Sequence, residues 1–247
     1  MMYFGGLSGL VLDIPKYKFP PPYEEASRLT YYASIFNSIE INSSFYKVPK
    51  AITVKKWVDS VPENFRFTFK LWQEITHKEG LNFEAQDVQL FMEAIEPAKD
   101  KKGTLLIQFP PKLGREGLTR LNELLMLIKR FDAAKWPIAV EFRNPSWYHE
   151  DTYRLLNDLH VTIVIQDIPR SATPDMGHVE NIIYLRFHGP TGDYRNGYSD
   201  DFLSEYATYI RQWMEEGKTV YVYFNNTIGD AFKNLKSLNR MLSDYKL

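Results

Sequence analysis

Glu40, Lys70, Glu141, Arg143, Asp167, Arg186 and His188 each fall at the carboxyl end of a short run of β-branched and aromatic residues. Acids, bases and cations that recur at one place in successive elements can transfer protons and bind anions. Glu141, Asp167, His188 and Lys70 are the catalytic candidates, because each could take up or release a proton. Lys70 could equally be a Schiff-base amine or an electrostatic partner. Arg143 and Arg186 suit a carboxylate or phosphate, since a planar guanidinium donates as a fork. Asn42, Gln108 and Asn225 end further runs and could orient hydroxyls or an oxyanion. Glu40 and His77 complete the polar substrate-binding set. The flanking rings Phe45, Tyr46, Trp72, Trp147 and Tyr198 could stack on a sugar or base, of which Tyr46 and Trp147 are taken as substrate-binding. Packing beneath loops is the commoner role of such rings.

The elements that must carry these residues are β-type runs alternating with helical stretches. Eight strands are expected, at Tyr3–Gly6, Ser38–Asn42, Phe65–Leu71, Gly103–Phe109, Ile138–Phe142, Thr162–Asp167, Ile182–His188 and Val220–Phe224. Apolar stripes at spacings of three and four predict helices over 24–37, 53–61, 84–99, 115–131, 150–159, 199–216 and about 230–245. Leu118, Leu121, Leu125 and Ile128 form one such stripe, and Gly217 fits the residue just past a helix end. Residues 169–181 show no stripe, which predicts an irregular loop in place of the sixth helix. Repeated βα units imply a parallel sheet with right-handed crossovers. Eight of them in 247 residues predict one α/β domain, 1–247, closed as a single (β/α)8 TIM barrel. A doubly wound open sheet is the competing architecture.

Alternation within the strands separates two faces. Ile39 and Ile41 oppose Glu40 and Asn42; Phe67 and Phe69 oppose Thr68 and Lys70; Val140 and Phe142 oppose Glu141 and Arg143; Leu185 and Phe187 oppose Arg186 and His188; Val222 and Phe224 oppose Tyr223 and Asn225. One parity is apolar and faces helices. The other turns polar toward the carboxyl end, where enzymes of this fold carry their sites. Any single pair, Glu141 with Arg143 or Glu40 with Lys70, could be an ion pair that merely fills the interior. The repetition around the ring favours a site, because unpaired buried charge costs several kcal/mol per ion.

Several classes are excluded or weakened. The chain has no cysteine, so disulfides, thiolate metal sites and cysteine nucleophiles are out. Five histidines are too few for a multi-zinc site of the usual kind. A single magnesium or manganese could sit on Glu40, Glu141 or Asp167, although neighbouring cations compete for those carboxylates. The net charge of -1 gives no global attraction to nucleic acid or anionic membrane. No signal peptide or membrane span is legible, and the expectation is a cytoplasmic protein. Gly5-Gly6-Leu7-Ser8-Gly9 lacks the spacing of a dinucleotide or phosphate loop.

Strings along the whole chain resemble the YecE-like family, a TIM-barrel family of unknown function. They are Ile39-Glu40-Ile41-Asn42-Ser43-Ser44-Phe45-Tyr46, Phe65-Arg66-Phe67-Thr68-Phe69-Lys70 and Ile75-Thr76-His77. Leu106-Ile107-Gln108-Phe109-Pro110-Pro111, Glu141-Phe142-Arg143-Asn144-Pro145-Ser146-Trp147, Leu185-Arg186-Phe187-His188-Gly189 and Val222-Tyr223-Phe224-Asn225-Asn226-Thr227 continue the series in order. The resemblance implies a (β/α)8 barrel and no settled activity. The chain departs from it at Gly9-Leu10, where the family shows Gly-Trp, and over Leu12 to Pro22.

Three functions follow as expectations. The first is an enzyme, a hydrolase or lyase, acting on a small anionic, hydroxyl-rich substrate of phosphorylated or sugar-like type. The second is a nucleic-acid binding or processing protein, by analogy to endonuclease-IV-like barrels. The third is a non-catalytic ligand-binding protein. Cofactor and oligomeric state are not legible.

Overall fold

A computed structural model describes residues 2–174 and 181–243. Strands and helices alternate along it: β1 (Met2–Leu7), α1 (Arg28–Ala33), β2 (Ser38–Ile41), α2 (Ser43–Tyr46), α3 (Ala51–Asp59), β3 (Arg66–Lys70) and α4 (Gln73–Thr76). Then come α5 (Ala85–Ile95), β4 (Lys102–Gln108), α6 (Leu118–Phe131), β5 (Ile138–Glu141), α7 (Glu150–Asp158), β6 (Val161–Ile163) and β7 (Ile165–Gln166). The chain closes with β8 (Ile182–Phe187), α8 (Asp200–Glu215), β9 (Thr219–Phe224) and α9 (Ala231–Ser243). The expected helices are present, with ends set by local chemistry. The first begins at Arg28 rather than 24, because Pro20–Pro22 lie just upstream and the Ser27 hydroxyl caps it by accepting from the Thr30 amide at 3.0 Å. Gly217 follows α8 at φ +82°, the left-handed position that favours glycine. Residues 169–174 contain neither helix nor strand, as expected of the irregular sixth unit. Residues 175–180 of that loop lie outside the described residues.

Among the described residues the strand pairs are all parallel and fall in two sheets, ordered β1-β9-β8-β7 and β2-β3-β4-β5-β6. The strand expected over 162–167 is divided at Val164. The Val164 amide donates to the Val140 carbonyl of β5 at 2.9 Å, and the next residue, Ile165, pairs with Leu185 of β8. This strand therefore passes from one sheet to the other. On the opposite side Ser8 and Glu40 form a parallel bridge, and the Gly9 amide donates to the Glu40 carbonyl at 2.8 Å. The Tyr32 hydroxyl ties the same seam, accepting from the Leu7 amide at 2.8 Å and donating to the Ser38 carbonyl at 3.0 Å.

Two apolar cores follow from strand alternation. Ile39, Ile41, Phe67, Phe69, Ile107, Val140, Phe142, Leu185, Phe187, Val222 and Phe224 pack with the helices. The opposite parity contributes a separate cluster of Phe4, Leu106, Ala139, Val164, Tyr184, Tyr221 and Tyr223, drawn from both sheets. Above it the Tyr223 hydroxyl of β9 hydrogen-bonds Ser38 Oγ at 2.6 Å and Thr68 Oγ1 at 2.8 Å. The floor beneath the polar residues is thus packed and hydrogen-bonded between the sheets. Gly5 and Gly6 belong to β1 rather than to a phosphate loop. A Cβ on Gly6 would lie 2.4 Å from the Ser38 carbonyl oxygen, so close strand approach accounts for that glycine.

Candidate functional site

Glu40, Lys70, Gln108, Glu141 and Arg186 sit on the inward parity of β2, β3, β4, β5 and β8. Arg186 is the centre. Its Nη2 donates to Glu40 Oε1 at 2.7 Å, its Nε reaches Glu40 Oε2 at 3.1 Å, and its Nη1 donates to Glu141 Oε2 at 2.9 Å. Glu40 also accepts from the Ser8 hydroxyl at 2.5 Å and from the Tyr184 hydroxyl at 2.6 Å. Glu141 accepts from Arg143 Nε on its other oxygen. Glu40 and Glu141 are fully buried, and Arg186 is 1% exposed. Burial pushes both carboxyl groups up, but the guanidiniums hold them below the usual carboxylate range: Arg186 for Glu40, Arg143 and Arg186 for Glu141. Burial likewise works against the Arg186 charge, and the two carboxylates hold its pKa well above the ordinary value. Of the two pairs that the spacing allowed, Glu141 with Arg143 forms, whereas Glu40 pairs with Arg186 rather than Lys70, because a rigid fork matches a carboxylate on two atoms where an ammonium offers a point charge.

His188 is fixed by its neighbours. Arg143 Nη2 lies 3.0 Å and Arg186 Nη1 3.2 Å from its Nε2. Guanidiniums only donate, so Nε2 carries the lone pair and Nδ1 the proton. That Nδ1–H faces Asp167 Oδ1 at 3.1 Å, and the His188 backbone amide donates to the same oxygen at 2.8 Å. Burial lowers the imidazole pKa, against the pull of Glu141 and Asp167, so the ring is neutral at pH 7. The Tyr198 hydroxyl donates to Asp167 Oδ2 and accepts from the Gly189 amide at 2.6 Å. Asp167, His188 and Tyr198 thus brace the guanidiniums from behind.

In front of this lattice lies a cavity of about 290 Å3. Its polar lining is Asn42, Lys70, Gln108, Arg143, Arg186 and Asn225, and Phe45, Tyr46 and Tyr194 wall it. Lys70 Nζ stands 4.0 Å from the centroid of the Phe45 ring. Among the described residues it has no hydrogen-bond or ion-pair partner, so it differs from both arginines. Burial first, and then the Arg186 charge, lower its pKa to about 7. The short α2 that carries Phe45 is pinned over β3 by Ser44, whose hydroxyl lies 2.7 Å from the Lys70 carbonyl oxygen. Asn42 Oδ1 is buried and has no hydrogen-bond partner among the described residues. Gln108 Nε2 donates to the Phe109 carbonyl at 2.6 Å.

Of the four catalytic candidates, Lys70 alone lines the cavity; Glu141, His188 and Asp167 stand behind it. Trp147 is also elsewhere. It is fully buried, stacks on Phe142 at 4.8 Å, and donates its indole N–H to the Leu113 carbonyl at 2.7 Å. This is the packing role of a ring beneath loops. His77 is at the exposed rim, edge-on to Phe45 at 4.9 Å. Ser8, Tyr184 and Tyr194 were missed by sequence reasoning. Extending the inward parity two residues forward from Gly6, at the end of the first expected strand, and two residues back from Arg186 would have found Ser8 and Tyr184. Tyr194 comes from a loop without periodicity. It packs edge-on to His188 at 5.7 Å, with Arg143 Nη1 3.3 Å from its hydroxyl.

Both oxygens of Glu40 and of Glu141 accept from guanidiniums, which leaves them poorly disposed to a cation. Among the described residues no group of three or more His, Asp or Glu is placed to hold a metal ion. Among the same residues no helix is long and apolar enough to cross a membrane. Two larger hollows, of about 550 and 530 Å3, open at the amino ends of strands, beside Tyr3 and Asn37 and beside Trp136 and Ile138. Their charged lining residues, Arg211 and Glu215 in the first and Lys129, Asp132 and Lys135 in the second, are exposed or half-buried, whereas Lys70 and Arg186 at the smaller cavity are buried.

Comparison with known proteins places these features in a family. The profile described as "Protein of unknown function DUF72" matches residues 13–246. The chain is 27% identical to UPF0759 protein YunF of Bacillus subtilis (strain 168), over 91% of this chain and 89% of that protein. It is 28% identical to UPF0759 protein YecE of Escherichia coli (strain K12), over 52% of this chain and 47% of that protein. The crystal structure of a DUF72 family protein from Enterococcus faecalis V583 superposes with a TM-score of 0.81 at 25% identity, covering 100% of this chain and 97% of that one.

Proposed function

This chain belongs to the DUF72 family, whose description carries no activity, and from that premise we propose that it is an enzyme acting on a small, anionic, hydroxyl-rich molecule of sugar or sugar-phosphate type. The observation that carries the reading is Lys70: a cation in the cavity without a carboxylate partner among the described residues, beside the amides of Asn42, Gln108 and Asn225. The charges of Arg143 and Arg186 are offset by Glu141 and Glu40, so Lys70 supplies the positive charge left over for an anion. Amide groups then meet hydroxyls on both donor and acceptor sides. A cavity of about 290 Å3 is at the low end for ligand pockets, which favours one small molecule over a nucleic-acid strand.

In this reading the two sheets are one closed (β/α)8 barrel and the chain one domain. The bridge of Ser8 to Glu40, the passage of the strand through Val164 and the interior cluster shared by both sheets support closure. Lys70 contacts the substrate. Glu141, His188 and Asp167 hold Arg143 and Arg186 in place.

Thermal unfolding against sugar phosphates, free sugars, nucleotides and divalent metals tests the proposal. A ligand at 100 times its Kd adds about 2.7 kcal/mol of stability. A rise with sugar phosphates that disappears in Lys70→Met is the expected result. Stabilisation by nucleotides or metals alone would turn the assignment elsewhere.

A further inference from the structure

Lys70 offers more than charge. A lysine that serves only as an anion anchor is best kept protonated by a nearby carboxylate. Here Glu40 and Glu141 are engaged by guanidiniums, Asp167 is engaged by His188 and Tyr198, and Lys70 faces the ring of Phe45 instead. Lys70 thus lines the cavity with no ion pair or hydrogen bond to its Nζ among the described residues, so its neutral form can present a lone pair to a bound molecule, as covalent catalysis by an amine requires. We propose that Lys70 forms an imine with the carbonyl carbon of an open-chain hydroxy-aldehyde or hydroxy-ketone bound in this cavity. The inference rests on the ligand class proposed above and adds to it the reacting group and the carbonyl.

The atoms balance without a co-reactant. The neutral Nζ attacks the carbonyl carbon, and its two protons leave with the carbonyl oxygen as water. The new C=N bond takes up a proton to become the iminium. Three features suit the steps. Arg143 and Arg186 face the same cavity and can polarise the carbonyl oxygen. The unpartnered Asn42 Oδ1 can accept from a substrate hydroxyl. The Phe45 face that now meets the ammonium would meet the iminium, keeping a cation–π contact through the reaction. A pKa of about 7 leaves about half the amine neutral at pH 7, against well under a thousandth for an ordinary lysine.

Reductive trapping of the full chain with sodium cyanoborohydride tests the imine. Dihydroxyacetone phosphate is the carbonyl probe, and glycerol 3-phosphate, which has no carbonyl, is the binding control. Peptide mass mapping should show Lys70 gaining the mass of the probe less one oxygen. That modification should run at least about tenfold faster than at the exposed Lys56, given the difference in neutral amine. Glycerol 3-phosphate should suppress it at Lys70 and leave Lys56 unaffected. If both phosphates raise the unfolding temperature while Lys70 reacts no faster than Lys56, the imine is wrong and the binding assignment stands. If neither phosphate stabilises the protein and Lys70 is not selectively modified, both fail. Lys70→Met should lose the fast site, and the wild-type ratio of Lys70 to Lys56 decides the matter even if that variant does not fold.

Discussion

An ammonium packed on a benzene ring beside a buried guanidinium is poorly solvated, and Lys70 has both neighbours. Its folded pKa of about 7 lies below the ordinary value near 10.4. Between those limits the unfolded chain binds more protons than the folded one, so stability rises with pH across that window. The wild type should therefore gain on Lys70→Met by up to a few kcal/mol between pH 7 and pH 10, as read by urea unfolding at each pH. A constant difference would mean that Lys70 titrates as an ordinary lysine. Arg186 makes the opposite case. Arg186→Met leaves Glu40 and Glu141 buried with less compensation and should cost about 3–5 kcal/mol near neutral pH. The loss should shrink as pH falls below the unfolded carboxylate pKa, where protonation relieves the stranded charges. The identity of these residues was legible in the sequence, and so was their common face. Their partners were not: the spacing allowed Glu40 with Lys70, and the structure pairs Glu40 with Arg186.

At the scale of elements, the alternation of side chains along each strand was enough to sort Phe67, Phe69, Val140, Phe142, Leu185 and Phe187 to the helix face. Tyr184 and Tyr223 fall on the inward face by the same rule. It worked because a pleated strand has a period of two and both faces of a parallel sheet are buried. Strand approach was harder to see, since alternation along one strand does not show which glycine meets a neighbouring backbone. The geometry at Gly6 makes a specific demand: a Cβ would lie 2.4 Å from the Ser38 carbonyl oxygen and 2.9 Å from the Tyr223 ring. Gly6→Ala should cost about 1–3 kcal/mol through overpacking. Ser199→Ala, which removes only the α8 cap onto the Phe202 amide at 3.3 Å, should cost about 1 kcal/mol. Chemical denaturation of the two variants side by side tests whether strand contact at this seam outweighs an ordinary cap.

Taken whole, the molecule places groups from β2, β5 and β8 within one lattice, although Glu40 and Arg186 are far apart in sequence. If the sheets are one closed unit, amides on both should exchange only through global opening. Native-state hydrogen exchange at Gly9, bonded to Glu40, and at Val164, bonded to Val140, should then give the same free energy as the strand centres. Markedly faster exchange at both seams would describe two sheets that open separately. The sequence by itself determined the βα alternation, the inward parity and the polar carboxyl ends, because these depend on local periodicity and on which side chains water rejects. Only the tertiary structure decided that Arg186 takes both glutamates, that Trp147 is core and that Lys70 is left facing the cavity. Those outcomes depend on strand stagger and on distances across the interior, which no spacing along the chain encodes.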